Sequence, residues 1–460
     1  MGSNSTYFKG YRWLLLLKVV GLICFAYYLP INFKPISVTW RSPSVLVSER
    51  RASSREPRPG YLVDTLNCKI VDMKPLDSSV RKHFKNKTLQ SCPHAIIKKT
   101  NSRLVYDETH PNFNATSCCF RKIHRISQNR NKYNMVADWQ IRFSRDCVQI
   151  SNASNGTKLT SKFAEIQCTT RVKGKKIKFK EYIAAILPPE IHTNKTKAKV
   201  EYWRGRRFDS GENDWEEIKS NTSISPSVLI LGIDSISRLH MYRSLAKTKE
   251  FLDANDFVEM RGYTKIGDNT FPNMMGALGG METNKYPCWK KKTDFMDDCP
   301  LIWKNFSSSN YVTALLEDSA GIANFNFMKT GFLEEPTDYY LRPITVAYHG
   351  RLSRTQSYNG CVGGMSQTNF MMEYLQNFVT AMGQSRVPHF LFSWFTTLGH
   401  DSLNDLKVHI QRWCCQAPYY VLFRLYFHLY KCKIHRFSKF IANGLNISAA
   451  SLGIGGGCVV

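Results

Sequence analysis

The chain has 460 residues, with 63 Lys and Arg against 36 Asp and Glu and a formal charge of +27. At 43% hydrophobic and 22% charged it can bury a sizeable core, which excludes an intrinsically disordered or low-complexity chain. The charge excess would point to nucleic acid inside a cell, and to sulfated glycans or anionic headgroups outside one, so the compartment decides the partner.

The compartment is read first at the N-terminus. Residues 13–31, WLLLLKVVGLICFAYYLPI, carry one charge, Lys18, and are long enough to cross a bilayer as a helix. Lys9 and Arg12 precede the segment, which places residues 1–12 in the cytosol and makes the protein a single-pass type II membrane protein. Lys18 is close enough to the cytosolic edge to snorkel, and Tyr27 and Tyr28 suit the far interface. A cleaved signal peptide ends in small residues, whereas this segment leaves through Tyr27-Tyr28-Leu29-Pro30. It therefore reads as an uncleaved signal anchor; cleavage would instead release the chain to the extracellular space.

Two further signs agree with a lumenal or extracellular ectodomain. Glycosylation sequons stand beyond the anchor at Asn86, Asn114, Asn152, Asn155, Asn194, Asn221, Asn305 and Asn446. Asn4 also fits the pattern but lies on the cytosolic side. Of the 14 cysteines, Cys68, Cys92, Cys118, Cys119, Cys147 and Cys168 cluster early, and Cys288 and Cys299 are spaced for a local bridge. In an oxidising compartment these read as disulfides, with the pairing of the early six left open. On this placement no nucleic acid is expected as a partner.

Residues 32–60 form a flexible stem, rich in Ser, Arg and Pro from Ser42 to Gly60. Residues 61–222 contain alternating stretches such as Lys176-Ile177-Lys178-Phe179-Lys180 and Val200-Glu201-Tyr202, which predict half-buried strands in a β-rich, cysteine-containing accessory region. The lysines from Lys173 to Lys180 read as a solvated strand face, with a grip on a polyanion as the functional alternative.

Residues 223–405 have a different grammar. Val228 to Ile233 is a continuous apolar run between Pro226 and Asp234, as in a strand buried on both faces of a parallel sheet. A helix is predicted over 237–255 and an amphipathic one over 366–383, with Phe370, Tyr374, Phe378 and Met382 repeating every fourth residue on a core-facing stripe. Strands are predicted at 311–316 and 389–395. Strand, helix, strand in this order gives an α/β fold with right-handed crossovers.

In such folds ligands bind beyond the carboxyl ends of the strands, and three predicted strands end in Asp234, in Glu317-Asp318, and near His400-Asp401. Between them, Thr270 begins the helix expected over Pro272 to Leu278, which Gly279-Gly280 would stop. A hydroxyl there faces the free N–H groups of a helix start, which favour an anion, and would become a nucleophile if a metal also bound it. Asp234 is the hard, anionic ligand such a metal takes. Taken singly, Thr270 and Asp234 also read as helix caps, and His400 as a surface histidine.

The segments SVLILGIDSISRLH, GYTKIGDNTFPNMMGALGG, LLEDSAGIANFNFMKTGFLEEPTDYYLRP and WFTTLGHDSLNDL resemble a family of uncharacterised animal extracellular proteins, numerous in nematodes and insects. That family lies in the alkaline-phosphatase-like superfamily with sulfatases and phosphodiesterases. The resemblance covers roughly residues 60 to 405. It implies a central mixed sheet flanked by helices, a divalent metal ion (zinc, calcium, magnesium or manganese), Asp234 as its ligand, and Thr270 as nucleophile and ligand. His400 would contact the substrate ester or a metal. Asn273, Glu317, Asp318 and Asp401 fall within the matching motifs.

The superfamily draws further metal ligands from an Asp-His-Gly segment well after the His400 motif, and no Asp-His pair follows here. Residues 406–460 contain no Asp or Glu and seven Lys and Arg, an abrupt change that reads as an atypical basic tail produced by alternative splicing, intron read-through or a gene-model error. The α/β domain is accordingly expected to be incomplete, with an exposed sheet edge and a weakened metal site. Two functions follow: a membrane-anchored hydrolase or transferase of phosphate or sulfate esters, impaired in this form, or a non-catalytic glycoprotein that binds sulfated polyanions.

Overall fold

The computed structural model describes residues 58–85, 92–100, 102–126, 137–209, 225–255, 257–352 and 360–406. The expected anchor at 13–31, the sequons at Asn86, Asn221 and Asn446, and the tail from 407 lie outside those residues. Among the described residues no helix is long and apolar enough to cross a membrane.

A four-stranded sheet organises the second half of the chain, in the order Val228–Ile233, His389–Phe395, Val312–Glu317, Tyr339–Tyr340. Among the described residues all three pairings are parallel, as the apolar run at Val228 predicts; the mixed sheet that the resemblance implies has no antiparallel member there. Successive side chains of a strand point to opposite faces, and the two apolar cores divide that way. Val312, Ala314, Leu316, Leu391 and Phe395 enter one core with Phe370, Tyr374, Phe378 and Met382 of the helix Gln367–Ser385. Leu315, Phe390 and Phe392 enter the other with Phe271 and Met275 of the helix Thr270–Gly279 and Trp303 and Phe306 of the helix Ile302–Ser308. Helices on both faces make this an α/β layer structure.

The strand Val228–Ile233 corrects one expectation. It lies at the edge of the described sheet, with only Val228 buried and Leu231 39% exposed. An apolar run shows that a strand has apolar neighbours and does not show its rank in the sheet. Its Gly232 is required by close approach: a Cβ there would come within 2.0 Å of the Trp394 ring on the neighbouring strand. The predicted helix over 237–255 is two helices, Arg238–Ser244 and Ala246–Ala254, parted at Leu245.

The first region is β-rich. Thr116–Arg125, Phe163–Val172 and Lys175–Ala184 form an antiparallel ladder, closed by a two-residue turn in which Lys173 and Gly174 both have positive φ (49° and 75°). Val200-Glu201-Tyr202, expected as strand, lies instead in the helix Asn194–Asp209. Three residues cannot distinguish a period of two from 3.6, and the pair that decides is Val200 and Trp203, one helical turn apart and both packed on the core.

Disulfides join Cys92 to Cys361, Cys118 to Cys168, Cys119 to Cys147 and Cys288 to Cys299, and Cys68 is disulfide-bonded as well. The Cys288–Cys299 bond is the expected local bridge. The early six do not pair only with each other, because Cys92 reaches across 269 residues to the short strand Cys361–Val362 that precedes the long amphipathic helix. Two buried ion networks tie the same regions together. Asp138 meets Arg125, Tyr340 and Asn326, and Lys199 donates to Asp338 at 2.6 Å. Ile123, Phe163, Tyr182 and Val200 share a core with the parallel sheet.

Candidate functional site

Asp234 follows the last residue of the edge strand, and its backbone N–H continues the ladder to Phe395 O at 2.9 Å. It is 5% exposed. The chain then turns through Ser235, a non-glycine residue at φ 60°, a left-handed conformation that costs about 1 kcal/mol and is tolerated where the surroundings fix it. Ser237 caps the next helix, its hydroxyl accepting the His240 N–H. Asp234 is therefore not that helix's cap, and its carboxylate is directed elsewhere: Oδ1 accepts the Thr270 hydroxyl at 3.0 Å.

Thr270 is the first residue of its helix rather than the cap, which is Asn269 and makes no side-chain capping bond. The helix ends as predicted, with Gly280 left-handed at φ 76°. Asn273 organises the approach to Thr270. Its Oδ1 accepts the Ile266 N–H at 2.8 Å, and its Nδ2 donates to Gly267 O and Asn269 O at 2.8 and 2.7 Å. Three bonds from one amide thus fix the loop that presents the hydroxyl, which makes Asn273 a positioning residue.

Glu317 and Asp318 end the strand Val312–Glu317 and are buried behind the site. Glu317 accepts the Asn324 N–H at 2.6 Å, and burial pushes its pKa up to about 7. Asp318 accepts the N–H of Thr396 at 2.8 Å and both the N–H and the hydroxyl of Thr397. Burial raises it to about 6. Its bonds hold the turn after the strand His389–Phe395, from which His400 emerges. His400 is partly exposed and its Nδ1 pairs at 2.6 Å with Asp401, itself almost fully exposed.

Asp234, Thr270, Asn273 and His400 line one open cleft of about 1220 Å³, while Glu317, Asp318 and Asp401 do not line it. The cleft contains groups that sequence reasoning missed. Lys329 Nζ lies 4.2 Å from the centre of the Phe271 ring, next to Thr270, and donates to Phe327 O at 2.8 Å. Burial draws its pKa down to about 8. Asn324, 5% exposed, lines the same cleft, and its Nδ2 has no partner among the described residues. The segment GIANFNFMKTG marks neither residue as special, since both are brought to the cleft only by the tertiary fold.

Asp234 and Thr270 offer a divalent cation two oxygens within reach of each other. Among the described residues no three His, Cys, Asp or Glu converge. Zinc takes about four ligands and calcium or magnesium about six or more, so the described residues do not complete a site for such an ion. What they do assemble is a hydroxyl, bonded to a buried carboxylate, at a helix N-terminus, with the Lys329 cation lining the same cleft.

The family described as a protein of unknown function (DUF229) matches residues 77–410. No curated protein and no solved structure matches the chain.

Proposed function

We propose that this chain, which belongs to the DUF229 family, is a membrane-anchored lumenal or extracellular glycoprotein whose cleft transfers phosphoryl or sulfuryl groups from organic esters to Thr270. The observation that carries the reading is the 3.0 Å bond from the Thr270 hydroxyl to Asp234 at the start of the helix Thr270–Gly279. Asp234 orients the hydroxyl and takes its proton as the bond from Oγ1 to phosphorus or sulfur forms. The ester oxygen leaves with its bonding pair and is protonated by water. The first N–H groups of the helix and Lys329 face the anionic group. Water then cleaves the threonyl ester, Asp234 returns the proton, and phosphate or sulfate departs. A divalent cation, if bound, would be held by Asp234 and Thr270 and would find too few ligands among the described residues for a tight site.

The placement outside the cytosol is supported by the disulfides and by the sequon residues Asn114, Asn152, Asn155, Asn194 and Asn305, all exposed. The test of the activity is turnover of 4-nitrophenyl phosphate and 4-nitrophenyl sulfate by the full chain. Thr270→Ala is expected to lose at least about 100-fold in kcat. Unchanged turnover in that variant would refute the assignment.

A second reading rests on the hairpin at Lys173-Gly174. Arg171, Lys173, Lys175, Lys176 and Lys178 are exposed on its two strands, a basic ribbon suited to a sulfated polyanion without catalysis. Replacing the four lysines with Ala should lower the salt needed to elute the chain from a heparin column. Elution at the same salt sinks this reading.

A further inference from the structure

The walls of the cleft are unlike its floor. Phe257, Val258, Met260, Tyr263, Phe327 and Met328 line it and are 49% to 74% exposed. Isolated exposed apolar residues are ordinary, but these six come from two loops that meet around one opening. The first loop is held in place. Glu259 accepts from Arg238 at 2.6 Å and from Tyr242 at 3.0 Å, so the polar residue is tethered inward while its apolar neighbours remain exposed. The second loop is fixed through the bond from Lys329 to Phe327 O at 2.8 Å.

The floor is polar and cationic. Lys329 lies over the Phe271 ring and lines the cleft with Thr270, and the buried Asn324 Nδ2 is a donor without a partner among the described residues. An unpaired buried donor is destabilising, and an anionic oxygen would satisfy it. Lys292 and Arg261 also line the cleft, and among the described residues neither has an ion-pair partner. The lining carboxylates Glu259, Asp253 and Asp268 are each paired with a basic neighbour, so that only Asp234 opposes Lys329, Lys292 and Arg261; the surplus of cations asks for an anion, and the rim of the same cleft asks for apolar surface.

We infer that the cleft takes an amphiphilic monoester: a phosphate or sulfate head held by Lys329 and Asn324, on an alcohol whose body is apolar and lies against the Met260 and Phe327 rim. The inference rests on the ester-site reading and narrows it, since a glycan ester would leave the rim uncovered. A rim covered by a second copy of the chain is the competing occupant.

The test is calorimetric titration of the full chain carrying Thr270→Ala, so that no ester is consumed, with ethyl phosphate, octyl phosphate, octyl sulfate and octanol below their micellar concentrations. Octyl phosphate or octyl sulfate should bind roughly 50-fold more tightly than ethyl phosphate, the gain from burying about three of the added methylenes. Combined Met260→Ser and Phe327→Ser should bring the octyl ester down to the ethyl ester. Lys329→Met should weaken both. Equal affinity for the ethyl and octyl esters would overturn the amphiphile inference while leaving the ester site standing, and binding of neither ester would overturn both. Octanol binding as tightly as the octyl esters would remove the anion seat. Light scattering that shows a dimer broken by the rim substitutions would assign the rim to a second copy instead.

Discussion

Asp138→Ala attacks the buried junction between the β-rich region and the parallel sheet. The Asp138 carboxylate is fully buried, and the Arg125 and Arg342 side chains it faces are 6% and 3% exposed. Its oxygens also accept the Tyr340 hydroxyl and the Asn326 amide, each at 2.8 Å, and the Phe332 N–H at 3.2 Å. Removing the carboxylate leaves two guanidinium groups in the interior without that partner, which typically costs 3–5 kcal/mol. The orphaned hydroxyl and amide add about 1 kcal/mol each. The expected loss, about 5–7 kcal/mol, is comparable to the whole stability of many domains. The assay is the urea midpoint of the full chain with disulfides intact, at unchanged slope. Asp138→Asn keeps the volume and should lose less than Ala. A loss below about 1 kcal/mol for Asp138→Ala would refute the junction as a stability determinant.

Three further outcomes are expected. Burial raises the Glu317 pKa to about 7, above the ~4.3 of an unfolded glutamate, so between those values the folded chain holds a proton that the unfolded chain has released. Its contribution is full below about pH 4.3 and is lost as pH rises through about 7, on the order of 3 kcal/mol; thermal melts against pH should show a shallower decline in Glu317→Gln, and an unchanged slope would contradict the assignment. Gly232→Ala drives a Cβ into the Trp394 ring and should cost about 1–3 kcal/mol with a shift in tryptophan fluorescence; a silent substitution would mean that the strand relaxes freely. Cys361→Ser opens the bridge to Cys92 and should cost about 2–5 kcal/mol in denaturant melts, whereas an unchanged midpoint would show that the bridge adds nothing to the buried junction.

Local chemistry made much of the frame legible. His389–Phe395 appears as predicted, and the amphipathic stripe from Phe370 to Met382 packs on the core, because strong period and length leave little choice. Asp234 and Thr270 were brought together by one rule, that strand ends and helix starts meet at the carboxyl edge of a parallel sheet. What was illegible depends on distant partners. The exposure of Leu231 reflects which strands flank it, and the helix at Val200 reflects the core that receives it. Asp318 reads in sequence as a strand-end carboxylate within a matching motif, and its oxygens are spent on Thr396 and Thr397, which only the fold places beside it. Lys329 acquires its place from the Phe271 ring, 58 positions earlier in the chain.

The most direct test of the central claim is to trap the intermediate. The full chain would be incubated with octyl phosphate or octyl sulfate, quenched in acid, digested and analysed by peptide mass spectrometry. The account predicts a peptide containing Thr270 that carries the added mass of a phosphoryl or sulfuryl group, absent from Asp234→Ala. Substrate turnover with that peptide unmodified, or an adduct on another residue, would contradict Thr270 as the nucleophile.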